Sequence, residues 1–287
     1  MTRLSKSSLP QHPTVFGMDI VTLLDWQEEA LFEFDSGKSV LKVLVDFARR
    51  CEKAARGKLY ISFVLGSPNQ RMWQVVGDSL PTEYRRHIEA GESPHSQTLP
   101  ERFVLSTEPV FIPDIAFEPV STAWREVALA NGLRGLWSWP IRSGSGQTQG
   151  AVVCHLSEPL TPTDEDKNLL ALVAQTARLL LHRQNALNTM KDAQERHRQI
   201  FDSATDFAII ATDLNGVITD WNEGACRVLG WTGHETLGFR LHRIFTPEDV
   251  AANQPEAEMR LALQAGHSPD ERWHLRKSGE RFMRPGR

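Results

Sequence analysis

With 287 residues, a formal net charge of −4, 40% hydrophobic and 24% charged residues, the chain has the composition of ordinary globular protein and the length for two cores. The small net charge and scattered Lys and Arg argue against a nucleic-acid partner, and no apolar run is long enough to cross a bilayer. Cys51, Cys154 and Cys226 are far apart and odd in number, which fits reduced thiols and a cytoplasmic location better than a disulfide framework.

Residues 1–17 hold three Ser and two Pro and have no apolar stretch behind Arg3 and Lys6, so a disordered leader is expected rather than a secretory signal. From Met18 to Ala55 apolar residues recur near the helical period: Leu23, Leu24, Leu31 and Phe34, then Val40, Leu41, Leu44, Val45 and Phe47. Asp35-Ser36-Gly37 divides this run into two helices. Leu59 to Leu65 and Trp73 to Val76 read as a strand pair around the turn at Ser67-Pro68-Asn69. An irregular stretch follows through Leu80-Pro81, Pro94 and Pro100. Pro109 to Ile115 is a predicted short strand and Trp124 to Asn131 a helix closed by Gly132. Leu136 to Ile141 and Ala151 to Leu156 are predicted strands on either side of a Gly/Ser loop. Thr163 then caps a long helix whose first turn carries Asp164, Glu165 and Asp166, where carboxylates suit the helix dipole.

Three blocks are the most specific: Asp114-Ile115 followed by Trp124-Arg125-Glu126, the run Gly132 to Ile141, and Glu158 to Pro162. With the order of helices and strands around them, they resemble a GAF domain over residues 18–185. That resemblance implies a ligand cavity. Trp137 and Trp139, on one face of their strand, are candidate walls for it, with core packing as the equal alternative. Covalent bilin attachment is not expected, because the cysteine that carries it in related domains would fall near residues 124–130 and none is there.

Leu172, Leu179, Ala186, Ala193 and Ile200 are spaced by sevens, with Leu169, Thr176, Arg183, Met190 and His197 as a companion row. Sevens over this length favour a two-stranded coiled coil, so residues 186–200 read as a helical linker and the first row as a homodimer seam. The alternative is a single amphipathic helix.

Beyond it, Phe207 to Ala211 and Val217 to Trp221 read as strands around Asp213-Leu214-Asn215-Gly216, where Asn-Gly supplies the positive φ of a hairpin. A short helix, Glu223 to Leu229, stops at Gly230. Trp221-Asn222 at a strand end leading into such a helix closely resembles the opening of a PAS domain, here over residues 201–287. The resemblance implies a sensory or relay role, with Trp221, Asn222, Phe245 and Trp273 as candidate pocket walls and core packing as the favoured alternative for the three aromatic residues. It does not extend to flavin photochemistry, because Leu237-Gly238 is followed by Phe239-Arg240-Leu241-His242 and not by the reactive cysteine. Nor does it extend to haem, because the helix near 255–266 contains no histidine. The last predicted hairpin, Glu271 to Met283, leaves the PAS sheet short of its final strands, so this domain is expected to be incomplete.

The expected fold class is therefore α+β: two domains, each with a central antiparallel sheet flanked by helices and joined by a long helix. No metal cluster, nucleophile elbow or phosphate-binding glycine loop is present, and no catalytic residue is assigned. The expected function is a cytoplasmic signal-sensing and relay module, homodimeric, with a possible small-molecule ligand and a downstream transmitter domain or kinase partner. The alternative is the input part of a sensor histidine kinase or diguanylate cyclase whose catalytic domains lie elsewhere.

Overall fold

The computed structural model describes residues 14–67, 72–90, 106–119, 122–268 and 271–283. Most of the expected leader, the turn after Ser67 and the stretch through Pro94 and Pro100 lie outside them. The chain divides into two units, residues 1–187 and 188–287.

The first unit opens with α1 (Ile20–Asp35) and α2 (Val40–Ala54). Asp19 caps α1 by accepting from the Thr22 amide at 2.8 Å. The buried Val43, Leu44, Phe47, Ala48 and Cys51 form the apolar stripe of α2. The strands are β1 (Leu59–Ser67), β2 (Met72–Val76), β3 (Val110–Ile112), β4 (Gly135–Arg142) and β5 (Thr148–Leu156). They form one sheet in the order β2-β1-β5-β4-β3, and every neighbouring pair is antiparallel.

Two cores lie on opposite faces of this sheet. On one, Ile61, Phe63, Trp137, Val152 and Cys154 meet α1, α2 and the first half of α5 (Asp164–Ser203). On the other, Val64, Leu136, Ala151 and Val153 meet α3 (Thr82–Ala90), the 3-10 turn Ile115–Phe117 and α4 (Thr122–Ala130). Because both faces are covered, β4 and β5 are almost wholly buried.

Three expectations need correction. The end of the supposed leader is packed: Val15 and Phe16 are buried. Asp166, itself buried, accepts hydrogen bonds from the Thr14 hydroxyl at 2.5 Å and the Val15 amide at 3.0 Å. The stretch after Pro81 contains α3, whose buried Tyr84 and partly buried Ile88 stand one turn apart in an otherwise polar run. The strand expected from Pro109 to Ile115 is only three residues long. Pro113 has no amide to continue a ladder, and Asp114 turns the chain by accepting from Ala116 N at 3.0 Å.

The second unit has two separate antiparallel ribbons, β6 (Ile210–Thr212) with β7 (Ile218–Trp221) and β8 (Trp273–Leu275) with β9 (Arg281–Met283). Asp213 stabilises the first turn by accepting from the Asn215 and Val217 amides at 2.9 and 2.8 Å, and Gly216 takes a φ of 76°. Between the ribbons lie α6 (Glu223–Leu229), α7 (Gly233–Thr236), the 3-10 turn Leu241–Ile244, α8 (Pro247–Ala251) and α9 (Gln254–Ala265). Ile218, Trp221, Ala225, Leu229, Ile244 and Phe245 form the core of this unit.

Candidate functional site

The sheet register assembles an unusual polar patch inside the first unit. Ser62 and Ser138 both pair with Val153, while His155 pairs with Tyr60 and Leu136. Paired residues of antiparallel strands share a face, as do residues two apart on one strand. Ser62, Ser138 and His155 therefore point to the same side, into the core beneath α3 and α4, and all three are buried.

His155 Nε2 lies 3.0 Å from the Ser62 hydroxyl. Its ring meets Tyr84 edge-on, with centroids 5.3 Å apart and planes at 82°, and Tyr84 in turn packs against Trp124 at 6.3 Å. His155 Nδ1 is buried with no hydrogen-bond partner among the described residues. An unpaired polar atom in such a place is costly.

Burial disfavours the charged imidazole and pushes the His155 pKa down to about 3. A serine hydroxyl on a histidine nitrogen has the outline of a nucleophile and its base. Here burial weakens the base, and among the described residues no carboxylate orients its second nitrogen. The patch gathers one imidazole nitrogen, two hydroxyls and two aromatic rings in a buried setting. Charged ligands would lose hydration without a counter-charge there.

The tryptophans singled out as cavity walls occupy the opposite face. Trp137 is fully buried against the helices, packs edge-on with Phe111 and donates from Nε1 to Leu160 O at 3.2 Å. It is a core residue. Trp139 lies half-buried on the same side. Cys154 is likewise buried on that face, and burial pushes its thiol pKa up, as it does for Cys51. Neither sulfur has the exposed, activated setting of a nucleophile.

In the second unit Asn222 is a structural hub. Its Oδ1 accepts from the Ile209 and Ala225 amides at 2.9 and 2.7 Å. Its Nδ2 donates to the carbonyls of Phe201, Ala204 and Phe207 at 3.1, 3.0 and 2.9 Å. These bonds tie the last turn of α5 to β6, β7 and the cap of α6, and they leave the amide no capacity for a ligand. Gly224 lets the strands of chain meet: a Cβ there would stand 2.1 Å from Phe207 O. Trp221 and Phe245 are packed in the core, with Trp221 Nε1 donating to Trp231 O at 3.0 Å. Trp273 is 49% exposed and points away from that core, which its neighbour His274 enters. The four residues therefore do not converge on one cavity.

Residues 195–261 match the family model described as PAS domain. This stretch is a PAS domain. The chain is 24% identical over 222 residues to the methyl sulfide methyltransferase-associated sensor of Methanosarcina acetivorans, covering 77% of this chain and 22% of that protein. It is 29% identical over 126 residues to the two-component system protein A of Emericella nidulans, covering 43% and 18%. The chain thus spans about a fifth of the length of these curated relatives. Among solved structures, the GAF domain of an Acinetobacter phosphoenolpyruvate-protein phosphotransferase is similar over 58% of this chain and 98% of its own, at 12% identity and a TM-score of 0.44. The α+β architecture is as the sequence implies. No helix among the described residues is long and apolar enough to cross a membrane.

Sequence reading passed over Ser62, Ser138, Tyr84 and His155. One signal was available: the run from Ala151 to Leu156 is apolar in both phases except for His155. A strand covered on both faces must bury such a histidine.

Proposed function

We propose that this chain is a cytoplasmic sensory and relay module of a two-component signalling system. The observation that carries the reading is the PAS match over residues 195–261, together with two relatives named as a sensor and a two-component protein. In this reading the first unit takes a small uncharged ligand against His155, Ser62 and Ser138. Occupancy favours one packing of the surrounding helices, and a change in α5 reaches a downstream transmitter or kinase.

The same reading includes a homodimer, with the exposed part of α5 as its seam. Leu169 and Thr176, from the companion row of sevens, are buried within the first unit, and Thr176 is bonded to Gln27. Arg183 is paired with Asp35. A two-sided seam is therefore available only after Arg183, where Ala186, Met190, Ala193 and Ile200 are exposed. Leu172 and Leu179 are only partly free.

Native mass spectrometry of the purified chain tests the ligand. A small molecule retained by the native protein, released on denaturation and absent from His155→Leu supports the reading. Ligand-free wild-type protein, purified from several growth conditions, would count against it.

A further inference from the structure

A second site lies on the side of the sheet covered by α1, α2 and α5, away from His155. A groove of about 430 Å³ is lined there by residues of β4, of α5 and of the segment just before β3. That volume is within the range of small-molecule sites.

The lining is not that of an ordinary crevice. Ala171 and Ala174 present only methyl groups where α5 faces the groove, and this leaves the space open. The half-buried indole of Trp139, with Pro140 and Pro109, supplies flat apolar wall. Two guanidinium groups come from two different elements. Arg142, on β4, is engaged by Glu108 through one long contact of 3.5 Å. Arg178, on α5, has no carboxylate partner among the described residues, whereas Arg183 one and a half turns later is paired with Asp35. Among the described residues the site thus carries two cations and one carboxylate, plus the amide of Gln175.

We infer that this groove binds a small planar carboxylate, its ring against Trp139 and its carboxylate between Arg142 and Arg178. Guanidinium forks match carboxylates in geometry and charge, and an aromatic ring on an indole adds stacking. The small floor excludes nothing of one-ring size, while a cation would meet the two arginines. The occupant would bridge β4 to α5, joining the sheet to the helix that continues to Ser203. This site is independent of the His155 patch, and either can fail alone.

Benzoate is the probe, with benzyl alcohol and benzylamine as size-matched neutral and cationic controls, on the full chain with 15N-labelled tryptophan. The indole signal of Trp139 is identified from Trp139→Phe. Benzoate is expected to shift that signal saturably and to leave the Trp221 signal unmoved. Removing one charged hydrogen-bonding group should weaken binding about tenfold, so Arg178→Gln and Arg142→Gln should each do so. Both arginines are largely on the surface, and an unchanged spectrum elsewhere certifies their folds. Ala174→Leu should abolish binding by filling the floor, and Ala171→Leu provides the same test if that variant misfolds. Equal shifts from benzoate and benzyl alcohol, or full affinity in Arg178→Gln, would overturn the assignment. So would the absence of any saturable shift.

Discussion

The side-chain amide of Asn222 donates to the carbonyl of Phe201 at 3.1 Å, across a sequence separation of 21 residues. Phe201 belongs to the last turn of α5, so this bond fastens the helix end to the PAS strand pair. The carbonyls of the final helical turn have no partner within the helix, and Asn222 satisfies one of them from the side. A relay through α5 must act on this joint.

Asn222→Ala should therefore destabilise the second unit by about 3 kcal/mol or more, because several buried backbone groups lose their partners together. Chemical denaturation followed by hydrogen exchange at Ile209 and Ala225 measures it. Gly224→Ala should have a comparable effect through steric contact with Phe207 O and Ala204 O. A loss under about 0.5 kcal/mol, typical of surface substitutions, would mean the hub carries little.

His155 should give the first unit an acid-side pH dependence. Its ordinary pKa of 6.5 applies to the unfolded chain and the value of about 3 to the folded one. Between them the unfolded chain binds a proton that the folded chain does not. The contribution is complete above pH 6.5 and is lost as pH falls toward 3, with a limiting slope of about 1.4 kcal/mol per pH unit. His155→Leu should flatten this part of the stability profile, leaving the carboxylates to act at lower pH. An unaltered profile would show that the imidazole titrates normally.

Ala193→Glu should shift the protein toward monomer in sedimentation velocity. Ala193 is exposed within the chain, so its replacement should leave each fold intact while placing like charges in the proposed seam. Leu179→Glu is the less clean variant, since Leu179 is partly buried within the first unit. A dimer unchanged by Ala193→Glu would locate the interface elsewhere.

The second unit should open more readily than the first. Its core is small, and Phe207, Leu214, Leu263 and Met283 are exposed. Among the described residues β6 pairs with β7 alone, whereas β5 is held between β1 and β4. Hydrogen exchange at Ala211 should be faster than at Val153, and limited proteolysis should cut the second unit first. Equal protection at both strands would contradict this.

Much of the architecture was legible because local chemistry and packing agree. Glu223 to Leu229 was readable as a helix because Asn222 caps it and Gly230 ends it in the left-handed region. The strands β4 and β5 announced themselves as apolar runs. Helix α3 did not, because Tyr84 and Ile88 are too few to show a period amid charged neighbours. The site was harder to read than the fold. Trp137 and Trp139 share a strand face, but only the register with β5 shows that it is the face covered by α1, α2 and α5, opposite His155. Asn222 looked like a pocket residue because its five hydrogen-bonding contacts go to backbone groups, which leave no mark in the sequence. The sevens along α5 held a second ambiguity: Leu169 and Thr176 fit a coiled-coil row and also fit the core that buries them.

The most direct test of a ligand-taking first unit is the 15N chemical shift of His155 Nδ1 in histidine-labelled protein. It should be recorded as purified, then after unfolding, removal of small molecules and refolding. With a ligand bound at the patch, Nδ1 is predicted to carry the shift of a hydrogen-bonded nitrogen before extraction and to change on stripping. Coincident spectra before and after, in a protein that refolds fully, would contradict the proposal that this patch is where the signal is received.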